Sequence, residues 1–334
     1  MTSSHFPAEA LDEGLTQRIT ARLSQVEARL SEAVANTDAL ADSASRHLIE
    51  AGGKRVRPML TLLAAELGDG ERPEVIEAAV IVELTHLATL YHDDVMDSAP
   101  TRRGAPAAHQ VWGNNVAILT GDLLFARASR MVSELGTEAV RIQAEAFERL
   151  CLGQLHETVG PQTGDDPVEH YLQVLADKTG SLVATSGRFG TLFAGCDRQT
   201  IAVLTEFGER VGVAFQIADD VIDLADQVAV TGKVAGTDLR EGVPTLPVLL
   251  LRESAAAGNT EDAALLARID GDLSDDAVLA DVVAQLRANP VTEATRAHAR
   301  SWSRDAIAHL DGLADGPVKA ALIEFAKGVV DRAS

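Results

Sequence analysis

The chain has 334 residues, of which 46% are hydrophobic but only 4% aromatic. Alanine, leucine and valine supply most of the apolar share, which favours packed helices and argues against an all-β fold. The 50 acidic and 29 basic residues give a net charge of -21, and this negative field argues against nucleic acid as a partner.

The first residues, MTSSHFPAEALDEGLTQ, lack the basic and apolar regions of a signal peptide. No later stretch has 18 uncharged apolar residues, so we expect no membrane span. The two cysteines, Cys151 and Cys196, are too few for a disulfide framework or a cysteine metal cluster, and their neighbours are typical of buried thiols. These features together favour a cytoplasmic location.

Helical periodicity begins near the N-terminus, where Leu15, Ile19, Leu23, Val26 and Leu30 recur at three- and four-residue steps. Similar patterns along the chain predict roughly a dozen helices. Turn sequences predict the breaks at residues 52–53, 68–70, 104–106, 160–161, 195 and 231–247, and the acidic segment 259–276 predicts surface loops and helix ends.

None of these breaks is typical of a domain linker. We therefore predict an all-α fold in which a single large helical domain covers residues 1–334, with long helices around a central cavity. Residues 1–36 are expected to form an N-terminal helix, and residues from about 258 to 334 the C-terminal helices.

The segment GGKRVRP, residues 52–58, joins the end of one predicted helix to the start of the next. Backbone N–H groups and the cations Lys54, Arg55 and Arg57 could converge on an anion there. The alternative is a helix C-cap followed by surface cations. Arg102 and Arg103 add two adjacent guanidinium groups, which can reach different phosphates. The alternative is that this surface pair only tethers neighbouring segments of the protein.

The pattern DDxxD occurs twice, as HDDVMDS from His92 to Ser98 and as ADDVIDL from Ala218 to Leu224. In each copy the first and third aspartates lie on one side of a helix, about 6 Å apart, and the middle one points about 100° away. The side-by-side pairs are Asp93 with Asp97 and Asp219 with Asp223, and the middle residues are Asp94 and Asp220.

Like charges at this spacing need compensation when they lie in apolar helices. Mg²⁺ provides it, because this ion binds through one or two carboxylates and completes its octahedron with phosphate oxygens. A solvated acidic helix face is the alternative for one copy, but two near-identical copies make it a poor explanation. A calcium loop is disfavoured because neither copy has the required glycine or distal glutamate.

These motifs, together with DKT at 177–179, FQIADDVID at 215–223 and GKVAGTDLREGVPTLPV from Gly232, resemble the trans-polyprenyl diphosphate synthases. The likeness is strongest to the long-chain heptaprenyl, octaprenyl and nonaprenyl type, and it extends from about Leu40 to Leu251. It implies a Mg²⁺-dependent prenyltransferase that adds successive isopentenyl diphosphates to an allylic diphosphate, with farnesyl or geranylgeranyl diphosphate as the starter.

The resemblance also implies roles for individual residues. The residues implied to bind isopentenyl diphosphate are Gly53, Lys54, Arg57, His86 and Arg103. The residues implied to ligate Mg²⁺, three ions in all, are Asp93, Asp97 and Asp219, with catalytic support from Asp94, Asp220 and Asp223. The residues implied to steady the allylic substrate are Arg102, Lys178, Thr179, Gln216 and Lys233.

Product length is expected to depend on the helix that carries the first motif. Moving back from Asp93, the same face presents Thr89 and Thr85, flanked by Ala88, and none of these is aromatic. Short-chain relatives carry a bulky aromatic residue four or five positions before the first aspartate. We therefore expect a hexaprenyl to decaprenyl product for a quinone such as menaquinone, with Phe125 and Met131 as candidate floor residues.

Some alternatives stay open at this point. They are a short-chain farnesyl or geranylgeranyl diphosphate synthase and a non-catalytic partner subunit of a related synthase. A terpene cyclase would not need the GGKRVRP site. The chain departs from many relatives at Val234 and Val243, which bears on closure of the loop after the second motif. By analogy with the relatives, we expect a homodimer.

Overall fold

The computed structural model describes residues 12–225 and 235–331. Helices dominate this part of the chain, which confirms the all-α prediction. The helices, in chain order, are α1 (Glu13–Val34), α2 (Ala39–Glu50), α3 (Val56–Ala65), α4 (Pro73–Met96), α5 (Ala108–Trp112), α6 (Asn114–Glu134), α7 (Thr137–Val159), α8 (Pro167–Leu175), α9 (Ser181–Phe193), α10 (Arg198–Asp223), α11 (Thr237–Glu241), α12 (Leu246–Ala256), α13 (Thr260–Ile269), α14 (Asp276–Ala288), α15 (Pro290–His309) and α16 (Pro317–Asp331).

Three shorter elements complete the described chain. Strands β1 (Thr101–Arg102) and β2 (Ala105–Pro106) pair antiparallel, a π-helical turn (Ala176–Gly180) precedes α9, and a 3₁₀ turn (Leu310–Gly312) follows α15. Two elements depart from the predicted breaks. Helix α11 lies within the predicted 231–247 break, and α13 lies within the acidic segment that we expected as surface loops and helix ends.

Local sequence explains where the helices begin. The carboxylate of Asp12 caps α1 by accepting a hydrogen bond from the backbone N–H of Leu15 at 2.8 Å. The predicted apolar face of α1 is buried at Leu15. It departs from the prediction at Leu23, which is only half-buried, whereas the adjacent Arg22 is buried. Helix α4 begins with Pro73 at its first position, where the missing N–H costs no hydrogen bond.

The first compact unit comprises Met1–Glu148, Leu182–Gly208 and His309–Glu324. Within it, α4 packs against α1, α3 and, most extensively, α6. Helices α4 and α6 come together at Gly121, where a Cβ atom would lie 3.1 Å from the carbonyl oxygen of Ala88 and would overlap the ring of His92. This glycine therefore permits the close approach of the two helices.

The second compact unit comprises Arg149–Ser181, Glu209–Ala308 and Phe325–Ser334. Helix α12 packs against α8 and α13, and α13 packs against α14. The aliphatic core of this unit includes Leu224, Leu239, Val248, Leu251, Leu265, Leu279, Val282 and Leu286. The expectation of one domain over residues 1–334 stays a prediction.

Helix α4 is long and apolar enough to span a membrane by length and composition. However, 72% of its most apolar window is buried inside the protein, which is the pattern of a core helix. Of the two cysteines, Cys196 is half-buried and Cys151 is exposed. The expectation of a buried thiol is therefore wrong for Cys151.

Candidate active site

The turn at 52–55 connects α2 to α3 through residues with positive φ. Gly52 has φ 84° and Gly53 has φ 154°, and Arg55, the residue before α3, adopts the left-handed conformation at φ 49°. A Cβ atom on Gly53 would lie 2.8 Å from Cζ of Arg103. Glycine at this position therefore lets the Arg103 guanidinium lie against the backbone of the turn.

Arg55 points into the protein. Its side chain is 8% exposed and donates hydrogen bonds to Glu27 of α1 and, at 2.8 Å, to Oε1 of Glu83 on α4. The expectation that all three cations of GGKRVRP converge on an anion therefore fails for Arg55, because two carboxylates already hold it. Lys54 is exposed.

Arg57, two residues after Arg55, and Arg103, which lies beside the turn, are both half-buried. Desolvation lowers the pKa of Arg57 to about 10, while Glu83 raises it and Arg103 lowers it. Nε of Arg57 is buried and has no hydrogen-bond partner in the described part of the chain. Arg103, at φ 54°, donates from Nη1 to the carbonyl oxygens of Gly52 and, at 3.0 Å, Leu48.

His86 lies on α4 one turn after Glu83. Its pKa lies well below the usual 6.5, first because of desolvation and then because of the positive charges of Arg57 and Arg103. The imidazole is therefore neutral at pH 7 and can donate one hydrogen bond. Residues Lys54, Arg57, His86 and Arg103 all belong to the first unit.

The first DDxxD motif ends α4. Asp93 is half-buried and Asp97, the C-cap residue, is exposed, whereas Asp94 is fully buried. Oδ1 of Asp94 accepts a hydrogen bond from Nε of Arg102 at 2.6 Å, and Oδ2 has no partner among the described residues. The middle aspartate thus points away from the other two, as the helical spacing predicts, and it anchors Arg102.

The expected product-length face of α4 is buried at Thr85, Ala88 and Thr89. The hydroxyl of Thr85 donates to the Ile81 carbonyl oxygen at 2.8 Å and accepts from Nε2 of Gln143 on α7 at 3.4 Å. Oε1 of Gln143 is buried without a partner in the described chain. Sequence reasoning missed this polar contact between α4 and α7, because the two residues are 58 positions apart.

Three large side chains bear on the expected product length: Tyr91 on α4, and Phe125 and Met131 on α6. Tyr91 is fully buried, and its hydroxyl donates to the Ala44 carbonyl oxygen of α2. Phe125 on α6 stacks against Phe147 with ring centroids 4.3 Å apart. Met131, the other candidate floor residue, is buried.

The second DDxxD motif ends α10 in the second unit. Asp219 and Asp223 are half-buried, and Asp220 is buried. The hydroxyl of Tyr171 on α8 donates to Oδ2 of Asp220, which also accepts from the backbone N–H of Leu246 at 3.2 Å. Desolvation, the largest effect, raises the pKa of Asp220 well above its usual 3.8. Asp220 thus joins α10 to Tyr171 in the middle of α8 and to the start of α12.

The loop after this motif is tied to Asp223. The backbone N–H of Gly236 donates to the Asp223 carbonyl oxygen at 2.8 Å, and that of Asp238 donates to its carboxylate at 3.3 Å. The N–H of Val243 donates to the Asp238 carbonyl oxygen at 2.9 Å, which closes α11. Lys233 and Val234 lie outside the described residues.

The segment DKT forms most of the π-helical turn before α9. Lys178 pairs with Glu157 of α7 at 2.5 Å, and the Thr179 hydroxyl donates to Oε1 of Gln216 on α10 at 3.3 Å. Such π-turns are frequent at functional sites. The structure therefore brings Thr179 and Gln216 into contact.

The polyprenyl synthetase family model matches residues 38–286. The chain belongs to the polyprenyl synthetase family. It is accordingly an enzyme, a polyprenyl diphosphate synthase of the prenyltransferase class, and the resemblance drawn from its motifs is confirmed.

Three similar proteins show how far the likeness extends. Nonaprenyl diphosphate synthase of Mycobacterium tuberculosis is 43% identical over 316 residues, which cover 94% of this chain and 93% of that protein. Geranylgeranyl pyrophosphate synthase of Corynebacterium glutamicum, solved with calcium and isoprenyl diphosphate, is 42% identical, with TM-score 0.83 and coverage of 98% of this chain and 99% of that chain. Polyprenyl synthase of Caulobacter crescentus, solved with the same ligands, is 31% identical, with TM-score 0.86 and coverage of 98% and 100%.

Proposed function

We propose that this enzyme condenses an allylic diphosphate with successive isopentenyl diphosphates to give a long-chain all-trans polyprenyl diphosphate. The observation that carries the proposal is the grouping of the cations Arg57 and Arg103 with neutral His86, in a chain that also has two DDxxD motifs. A condensing enzyme needs a cationic site for one diphosphate and a metal site for the other. A terpene cyclase, which uses a single diphosphate, has no use for the first.

Isopentenyl diphosphate is proposed to bind at the GGKRVRP turn. Arg57 and Arg103 carry positive charges in a partly desolvated setting, where charge-assisted hydrogen bonds to phosphate are strong. Lys54 adds a third cation at the exposed side of the turn. Neutral His86 donates one hydrogen bond without adding charge, and Gly53 leaves room for Arg103.

The aspartate motifs are proposed to bind Mg²⁺, three ions in all, with the allylic diphosphate. Among the described residues, no three His, Cys, Asp or Glu side chains are grouped to hold a metal by themselves. This donor set fits Mg²⁺, because the ion takes one or two carboxylates and completes its shell with phosphate oxygens. Asp93, Asp97 and Asp219 would be the ligands, Asp223 would support them, and bound Mg²⁺ would neutralise charge on the leaving diphosphate.

The remaining side chains are proposed to orient the allylic substrate. Lys178 and Arg102 present cations to its diphosphate, and Asp94 fixes the direction of Arg102. Thr179 and Gln216 hold polar groups near the reacting carbon. The allylic C–O bond breaks with its electron pair on diphosphate, the isopentenyl alkene forms the new C–C bond, and transfer of a proton to the released diphosphate restores a double bond.

The proposal of a long product rests on the face of α4 that carries Ala88, Thr89 and Thr85. No aromatic side chain occupies these positions, and Tyr91 is hydrogen-bonded toward α2. Each helical turn covers about 5.4 Å, comparable to one extended isoprene unit. Hexaprenyl to decaprenyl chains suit a quinone such as menaquinone, which is the proposed destination of the product.

A short product of farnesyl to geranylgeranyl length is the second candidate, and one contact favours it. The hydrogen bond between Thr85 and Gln143 places a polar pair eight residues before Asp93, about 12 Å along the helix. A growing chain that follows this face meets the pair after only two to three isoprene units beyond the diphosphate end. Measuring the product length separates the two candidates.

The enzyme is further proposed to act as a cytoplasmic homodimer. Large apolar side chains are exposed on α6 and α7 of the first unit, notably Ile118, Leu119, Val140 and Phe147. Exposed apolar residues of this size are typical of surfaces that a partner chain covers. Cytoplasmic placement is supported by two free cysteines and by the burial of α4.

The test of the proposed activity is a condensation assay with purified protein. Farnesyl diphosphate and radiolabelled isopentenyl diphosphate are supplied with Mg²⁺ or with EDTA, and both diphosphate release and label in the organic phase are measured. We expect both signals only with Mg²⁺. The absence of both signals with Mg²⁺ present would favour a non-catalytic partner subunit.

A further inference from the structure

Glu83 is a buried carboxylate to which the proposed reaction assigns no role. It is 2% exposed on α4, and its Oε1 accepts from Nη1 of Arg55 at 2.8 Å. Arg55 also donates two hydrogen bonds to Glu27, which is itself half-exposed. Arg55 therefore has two carboxylate partners, although one would balance its charge.

The second carboxylate can also act on Arg57, which lies two residues after Arg55. In the described part of the protein, neither Arg57 nor Arg103 forms an ion pair within 4 Å. Both are nevertheless stabilised in the charged form by the negative charge of Glu83. Clustered guanidinium groups repel one another when they are partly removed from water, so an empty site needs a nearby anion.

We propose that Glu83 is a built-in counter-charge of the diphosphate site, which balances Arg57 and Arg103 until the diphosphate of isopentenyl diphosphate binds. It is a positioning residue, since it contacts Arg55 and acts on the proposed site through its charge. The inference rests on the proposed binding of isopentenyl diphosphate at this turn.

If Glu83 is a counter-charge, its loss should change the affinity for diphosphate in the opposite direction from the loss of a structural anchor. If Glu83 only holds Arg55 and the turn, its loss weakens diphosphate binding. If it balances the cluster, replacement by glutamine keeps a hydrogen-bond acceptor for Arg55 and removes a repulsive charge. Diphosphate binding then becomes tighter, while the ligand-free protein becomes less stable.

The experiment is calorimetric titration of the full-length protein with isopentenyl diphosphate in EDTA, so that metal-dependent binding at the aspartate motifs does not contribute. We expect Glu83→Gln to lower Kd roughly five-fold or more and to lower the melting temperature of the ligand-free protein. The matched control is Glu77→Gln on the same helix, whose partner is Arg29 at 2.7 Å. This control should leave Kd within about two-fold of the wild-type value.

Glu27→Gln separates the two roles, because it removes the other carboxylate of Arg55. We expect it to leave Kd unchanged or to raise it. An unchanged or raised Kd in Glu83→Gln would overturn the proposal. A wild-type protein that binds no isopentenyl diphosphate would instead overturn the proposed function.

Melting temperatures provide a measurement that does not depend on the ligand. The counter-charge role predicts that Glu83→Gln costs less stability in an Arg57→Gln background, since the excess positive charge is then gone. If Glu83→Gln alone does not fold, the double variant should recover folded protein. Additive losses, or a double variant that also fails to fold, would overturn the proposal.

Discussion

Gly53→Ala tests the geometry of the diphosphate site through one methyl group. The added Cβ would lie 2.8 Å from Cζ and 2.9 Å from Nη1 of Arg103. Nonbonded carbon atoms prefer about 3.5 to 4.0 Å, so the guanidinium must move by about 1 Å. That movement disturbs the hydrogen bonds from Arg103 to the carbonyl oxygens of Leu48 and Gly52.

The expected effect is a higher KM for isopentenyl diphosphate. A hydrogen bond to a charged group contributes about 1.5 to 3 kcal/mol, which corresponds to roughly ten- to a hundred-fold in KM if Arg103 no longer reaches the diphosphate. The KM for the allylic substrate should change much less. The assay is steady-state condensation with each substrate varied in turn at saturating levels of the other.

Gly52→Ala is the matched control for Gly53→Ala. Gly52 has φ 84°, so alanine there also introduces backbone strain of about 1 to 3 kcal/mol, but its Cβ would meet no atom within 4 Å. Gly52→Ala should therefore lose stability while keeping KM near the wild-type value. Equal KM changes in the two variants, or no change in Gly53→Ala, would refute the placement of Arg103 over the turn as the cause.

Four further outcomes follow from the site. Asp93→Ala and Asp219→Ala should each lower kcat by about a hundred-fold or more, measured at saturating Mg²⁺, because each removes a proposed metal ligand; near-normal turnover would exclude that role. Lys178→Ala should raise the KM of the allylic substrate more than that of isopentenyl diphosphate, and the reverse order would contradict its assignment. Ala88→Phe should shorten the product in a variant whose melting temperature shows that it still folds. Desolvation and neighbouring arginines lower the pKa of His86 below 6.5, so below that pH the unfolded chain takes up a proton that the folded protein does not. The free energy of unfolding should therefore fall below pH 6.5 by at most about 1.4 kcal/mol per pH unit. His86→Gln should flatten that slope in denaturation curves.

Helical periodicity predicted much of the fold. The α1 residues Leu15, Ile19, Val26 and Leu30 are buried, as the three- and four-residue steps require. The sequence pattern could not show that Asp262 of α13 is buried within the acidic segment, because its carboxylate accepts hydrogen bonds from its neighbour Asn259 and from Asn289, 27 residues away. Such contacts leave no periodic signal.

In the candidate site, too, local spacing was predictable and long-range contacts were not. Helical spacing predicted that Asp94 and Asp220 point away from their neighbouring aspartates, and both are buried. Arg55 and Arg57 could not be distinguished from the motif, because Arg55 is held by Glu83, 28 residues away along the chain. The bond from Tyr171 to Asp220 likewise spans 49 residues.

The most direct test of the proposed function is the length of the product made by the wild-type enzyme. Purified protein is incubated with farnesyl diphosphate, excess radiolabelled isopentenyl diphosphate and Mg²⁺, and the dephosphorylated products are resolved by reversed-phase chromatography against polyprenol standards. The absence of an aromatic side chain at Ala88 and Thr89 of α4 predicts a main product between hexaprenyl and decaprenyl length. Failure to extend farnesyl diphosphate beyond geranylgeranyl length would contradict the long chain and would make the Thr85 and Gln143 contact the candidate floor.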